Sequence, residues 1–337
     1  MEKRRPHRPG ARPDSRIASI AIAFFLGGWA LAGCAMKVDE QKVPAPGGSG
    51  GSSPIPMGTG GAAAGGYDAR EPSESGSTVG GTEDGGKNTC QGPGFPKPAV
   101  VSYLSSRVAL QENGQAVADL LVLLCGTDTC NRAIFDPGTG YYVSRTDIAM
   151  EMVGPMLKTG DGTVYVEMGF PVRTPTTDFG VVQLIRLPDK GTGAALAAGT
   201  DATSGGVVLS LAAGTEIVMD EYVYDTDEAK QFRAVIFESA KLPPYTEAPK
   251  LDLVIGSTPN ARFCPPATLT LPNRPNWPPG TRVEIHHQGF QADQEWAPYG
   301  GWTRVATATV TSDGLSIRTD ADSGVPEIGL LGLRKVD

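Results

Sequence analysis

From about residue 95 to the C-terminus, apolar residues recur in short β-branched runs, and each run is closed by Gly, Pro, Asn or Asp. That rhythm constrains the fold more than any other feature. A period of two puts one set of side chains on one face of a pleated strand, whereas a helix needs apolar residues at a 3.6-residue spacing. No long stretch carries the helical period. Runs at 108–110 and 117–124 flank Asn113-Gly114, the dipeptide favoured in a type I′ hairpin turn. Asp161-Gly162 precedes a run at 164–168, and the run at 180–187 ends at Pro188, which cannot continue a ladder. Further strands are predicted at 207–211, 216–219, 232–237, 251–255, 282–286, 303–310 and 315–319. A helix is allowed only at 145–157, shortened by Pro155. Many short strands separated by turn residues imply a mainly β fold, with one or two β-sandwich domains rather than a βαβ sheet. The pattern loosens over 189–206, which places a boundary within 190–205 and predicts domains at 94–200 and 201–337.

The first 33 residues follow different rules. Lys3, Arg4, Arg5, Arg8, Arg12 and Arg16 face only Glu2 and Asp14, and an uncharged apolar run follows from Ile17 to Ala32. As a helix that run spans roughly 24 Å, short of a ~30 Å hydrocarbon core. A basic stretch and a short apolar segment ending in small residues form a secretory signal pattern. The ending Leu31-Ala32-Gly33-Cys34 is similar to the lipobox of bacterial lipoproteins. The resemblance implies cleavage before Cys34, a diacylglyceryl group on its thiol and further acylation of the new N-terminus, and two or more acyl chains hold a membrane stably. Ala35, by comparison with sorting in enterobacteria, points towards the outer membrane. The alternatives are an ordinary cleaved signal or an uncleaved anchor in which Cys34 falls there by chance. Arg4-Arg5 is followed by Pro6-His7-Arg8, which does not fit a twin-arginine signal.

Residues 34–93 hold almost no aliphatic side chains and consist largely of Gly, Ser, Thr, Pro and Ala. Such a stretch cannot bury enough surface to offset chain entropy, so a disordered tether is expected. A Gly-rich coil of this length spans about 40 Å root-mean-square. Across the whole sequence 37 Asp and Glu outweigh 29 Lys and Arg. Because most residues ahead of Cys34 that carry charge are basic, the remainder is more acidic still. A nucleic-acid partner is therefore not expected, since phosphate binding needs clustered cations.

In the C-terminal half, Gly205-Gly206 opens an alternating aliphatic run, and Pro279-Gly280, Trp296, Trp302, Asp313-Gly314 and Gly324-Val325-Pro326 follow. These segments resemble ZU5-like β-sandwich domains and segments of large secreted proteins and lipoproteins of Gly-rich, high-GC bacteria such as myxobacteria. The resemblance covers about 204–337 and implies a sandwich used for display or adhesion. It carries no catalytic residue.

Beyond Cys34 there are four cysteines, Cys90, Cys125, Cys130 and Cys264. In an exported chain an even number reads as two disulfides, with three pairings open. Cys125 and Cys130 are spaced to close a small loop, which would leave Cys90–Cys264 to tie the start of the head to its far half. A zinc site would need two further ligands that the spacing does not supply, and no metal or cofactor is expected.

Catalytic patterns are scarce. After residue 33 the only histidines are the adjacent His286 and His287, which a strand would point to opposite faces. No G-x-S-x-G elbow, phosphate-binding loop or dinucleotide fingerprint occurs in the folded part. Asp220, Glu221, Asp225, Asp227 and Glu228 lack the order of a Ca²⁺ loop and read as a solvated segment. Trp296, Tyr299 and Trp302 read either as packing or as an exposed platform for a sugar or peptide. The expectation is an envelope lipoprotein, held through lipid on Cys34. Its non-enzymatic β head would serve display, adhesion or assembly with envelope protein or polysaccharide. The alternative is a carbohydrate-binding or carboxylate-based glycan-hydrolysing domain.

Overall fold

A computed structural model describes residues 90–146, 151–159, 162–219 and 223–336. The lipobox, Cys34 and residues 35–89 of the expected tether lie outside the described residues, as do Asp161, Asp220 and Glu221. The last stretch of that expected tether, 90–93, is instead fastened to the head through the Cys90–Cys264 disulfide and the Gly92 N hydrogen bond to Glu295. The described chain is mainly β, with two single-turn 3₁₀ helices at Ser239–Lys241 and Pro244–Thr246. It forms one compact unit.

In the N-terminal half, Ser105–Glu112 pairs antiparallel with Tyr141–Arg145, which in turn pairs with Ile134–Asp136. Thr176–Gln183 lies on the other side of Ser105–Glu112 and runs parallel to it. A parallel neighbour needs a long crossover, and here the crossover carries a second, four-stranded sheet in the order Met168–Pro171, Met156–Thr159, Leu123–Cys125, Cys130–Arg132. Asn113 and Gly114 take φ of 52° and 79° and turn Ser105–Glu112 back into Gln115–Ala116, as the dipeptide predicts.

Three expectations for this half need correction. One is the run at 164–168, of which only Met168 lies in a strand, Met168–Pro171, while Tyr165 makes an isolated bridge to Arg186. The allowed helix at 145–157 is replaced, over its described part, by Glu151–Val153 and Met156–Thr159. The first ladders with Val100–Ser102 and the second with Leu123–Cys125 and Met168–Pro171. Met152, Met156 and Leu157 are thereby buried, and burial overrides local propensity. The strand expected at 117–124 forms only at Leu123–Cys125. Asp119 takes φ 63°, and the Tyr142 side chain supplies two of the hydrogen bonds that hold the stretch. Its Oη accepts from Leu120 N at 2.9 Å and donates to Val117 O at 3.0 Å.

The C-terminal half is one antiparallel sheet. Its order is Asp201–Ser204, Val207–Ser210, Ala261–Pro272, Ser316–Thr319, Trp302–Val310, Arg282–Gln288, Leu330–Lys335, Leu253–Thr258, Arg233–Glu238. Glu216–Met219 and Val325–Glu327 also pair with Ala261–Pro272. The sheet curls until its two ends meet. Ala234 N donates to Ser204 Oγ at 3.0 Å, Arg274 Nη1 donates to Ile236 O at 2.9 Å, and Ala194 bridges Phe232. An edge strand left bare invites pairing with another chain, and these contacts blunt it. The stretch expected to be a loose boundary thus includes Asp201–Ser204, the strand that starts this sheet.

The longest strand, Ala261–Pro272, is absent from the expected set because it contains Pro265 and Pro266. Proline is tolerated where a ladder is interrupted. Here the two prolines sit where the strand passes from Glu216–Met219 to Val207–Ser210.

Inside the curl, Leu209, Phe263, Leu269, Val283, Ile285 and Leu333 form a core. Its outer face packs on the N-terminal half. Val254, Leu330 and Phe237 share a second core with Met156, Val166 and Phe170. In Leu253–Thr258, Leu253 and Ile255 face one core and Val254 the other. A strand buried on both faces reads as a continuous apolar run rather than an alternation. Gly256 in that strand has no room for a side chain, since a Cβ would lie 2.4 Å from Val166.

Candidate functional site

The aromatic segment lies at the joint between the two halves. Tyr299 is 5% exposed, and burial raises its phenol above the usual range. Lys158 Nζ sits 5.6 Å from the Tyr299 ring centroid and donates to Phe290 O at 3.2 Å. Trp302 is half-buried, and its Nε1 donates to Thr246 O at 2.8 Å. Trp296 is also half-buried. Beside them Gln288, fully buried, imitates a strand: its Oε1 accepts from Gly169 N at 3.1 Å and its Nε2 donates to Gly169 O at 2.8 Å. Of the three residues read either as packing or as a platform, Tyr299 meets Lys158 of the N-terminal half, while Trp302 is bonded to Thr246 within its own half and packs on the core that both halves share.

A cluster of charge lies where the chain enters the head. Arg262, on Ala261–Pro272, reaches Asp293 at 2.7 Å and Glu295 at 3.3 Å through its guanidinium, and its Nε stands 4.0 Å from Glu327 on Val325–Glu327. Behind Glu327, His287 is 1% exposed, with Nδ1 at 3.9 Å from Glu327 Oε2. Burial pushes the Glu327 carboxyl up to about 7 against the opposing pull of Arg262. Burial, then the charge of Arg262, pushes His287 down to about 3. A protonatable carboxyl beside a neutral imidazole can exchange a proton, yet Glu327 is only 3% exposed.

His286 lies away from this pair and meets Glu284 at 3.3 Å. Burial lowers its pKa, with the Glu284 hydrogen bond opposing. Burial also raises Glu284, but hydrogen bonds from Arg334, Arg304 and His286 outweigh it and leave this carboxyl below its ordinary value. Both histidines are buried. Among the described residues no three His, Cys, Asp or Glu side chains are grouped to hold a metal ion. Asp225, Asp227 and Glu228 are exposed.

Two disulfides form, Cys90–Cys264 and Cys125–Cys130. The first belongs to a clasp that the cysteine spacing alone does not reveal. Gly92 N donates to Glu295 Oε1 and Gly94 N to Glu295 O, each at 3.1 Å. Gly92 lies so close to the loop that a Cβ would fall 2.1 Å from Glu295 O. Arg262, two residues from Cys264, fixes the same Glu295 from the other side.

Compared with known proteins, the chain matches no family model, no curated protein and no solved structure. Any function must be argued from the molecule itself.

An open groove carries Trp277. Ile236, Glu238, Lys241, Asp252, Arg274 and Trp277 line it, along the edge strand Arg233–Glu238. Asn273 holds the Trp277 backbone, accepting from its N at 3.1 Å and donating to its O at 2.8 Å. Pro275 and Pro278 stiffen the same loop. Its signal in the sequence is the setting Arg274-Pro275-Asn276-Trp277-Pro278-Pro279.

Proposed function

We propose that this chain is an envelope lipoprotein, anchored through lipid on Cys34 and probed from outside by a β head that binds or displays rather than catalyses. The clasp at Cys90, Gly92 and Gly94 carries the reading. A head that works at the end of a tether needs its root fixed, and the residues following the Gly/Ser/Pro-rich stretch are fastened covalently and by hydrogen bonds to the far half. The closure of Glu327 and His287 from solvent supports a head without catalytic activity. Ala35 favours the outer membrane as the anchoring site. Cells expressing the full chain and fed an alkyne palmitate analogue test the anchor. Label is expected on the wild-type protein and lost in Cys34→Ser, with the label found in the outer-membrane fraction. Equal labelling of both proteins, or of neither, would overturn it.

A second reading, glycan binding, is supported by the Trp277 groove. Trp gives a sugar ring an apolar face, and Glu238, Asp252 and Arg274 supply polar groups around it. Retention of the folded protein on envelope polysaccharide, abolished by Trp277→Ala, is the outcome that favours it.

A further inference from the structure

The N-terminal half comes first in the sequence, yet it lies inside the loop of 174 residues that Cys90–Cys264 closes. Tension along a chain follows covalent bonds, and a disulfide is a covalent shortcut. Force arriving through the residues before Cys90 therefore reaches Cys264 without passing through residues 91–263. Cys264 sits in Ala261–Pro272, which pairs with Glu216–Met219, Val207–Ser210, Ser316–Thr319 and Val325–Glu327. No other described strand has as many partners in the sheet. The attachment is held against sideways peeling by Gly92 and Gly94 on Glu295, and Glu295 is held by Arg262 on the same strand as Cys264.

We infer that this root is a tension joint: it passes load from the tether into the central strand of the C-terminal sheet and takes the whole N-terminal half out of the force path. The inference rests on the tethered reading for its purpose, but not for its mechanics. A head pulled on between its tether and a point beyond Cys264 would keep its N-terminal half folded even as the C-terminal sheet yields. The parallel pairing of Thr176–Gln183 with Ser105–Glu112 and the small Val100–Ser102 ladder would then carry no load.

The joint is tested by stretching the full-length chain between handles on its two termini in an optical trap. In the oxidised protein, unfolding of the head is expected to release only residues 265–337, about 25 nm at ~3.5 Å per residue. Adding reductant to the same molecules is expected to add the 174 residues of the closed loop, about 60 nm more. The variant Cys90→Ser/Cys264→Ser is expected to show the longer release without reductant, and the reductant arm on wild-type molecules stands if that variant fails to fold. Release near 85 nm from the oxidised wild type, or no gain on reduction, overturns the joint. These lengths do not depend on acylation, so loss of palmitate labelling and loss of the joint are separate failures.

Discussion

Glu327 Oε2 and His287 Nδ1 stand 3.9 Å apart in the interior, each shifted by burial in the direction that keeps it neutral. Their effects on stability against pH oppose one another. Glu327 titrates at about 7 in the folded chain and near 4.3 when unfolded. Between those values the unfolded chain gives up its proton more readily, so stability falls as pH rises through that window. His287 titrates at about 3 when folded and near 6.5 when unfolded. Over that range the unfolded chain binds the extra proton, so stability rises with pH. From about pH 4.3 to 6.5 the two slopes cancel. Glu327→Gln removes one of them. Its stability is expected to keep rising to about pH 6.5 and to exceed wild type at pH 8 by roughly 2–4 kcal/mol. Urea unfolding across pH 3–9 checks it, and parallel curves for the two proteins would sink the assignment.

Gln288 predicts how firmly the halves are joined. Gln288→Leu keeps the volume but leaves Gly169 N and O, both buried, without the partners they have at 3.1 and 2.8 Å. An orphaned buried polar group costs about 1–3 kcal/mol. The variant is expected to lose roughly 2–4 kcal/mol, with amide exchange rising first at 168–171. A loss below about 0.5 kcal/mol, within the range of a neutral surface change, would mean that the mimicked pairing contributes little.

Sequence reading reached the strands whose pattern is local. Glu216–Met219 falls where expected, and Asn113-Gly114 makes the turn its φ preferences require. It missed Ala261–Pro272 because Pro265 and Pro266 speak against a strand unless the ladder is known to change partners there. The charged cluster was not legible at all. Arg262, His287, Asp293, Glu295 and Glu327 belong to separate strands and a loop, and no spacing records that tertiary folding brings them together. Of the three pairings open to the cysteines, the short spacing from Cys125 to Cys130 favours the one that forms, whereas the clasp that Cys90–Cys264 belongs to depends on where the strands place it.

Tyr142 predicts the behaviour of the stretch that reads as a strand and is not one. Its hydroxyl accepts from Leu120 N and donates to Val117 O, and so holds the middle of a stretch whose ends are held by Val117 N on Leu110 O and Ala133 N on Val122 O. Tyr142→Phe keeps the ring among Leu120, Val122 and Leu124 in the core and removes only the hydroxyl. Leu120 N is then left unsatisfied in a buried setting, and a loss of about 1–3 kcal/mol is expected. Hydrogen exchange should accelerate at 117–122 well before it changes in Ser105–Glu112, because that strand keeps its own backbone partners. Uniform acceleration across the N-terminal half would instead mean that 117–122 unfolds only with the sheet, and that the hydroxyl is not what holds it.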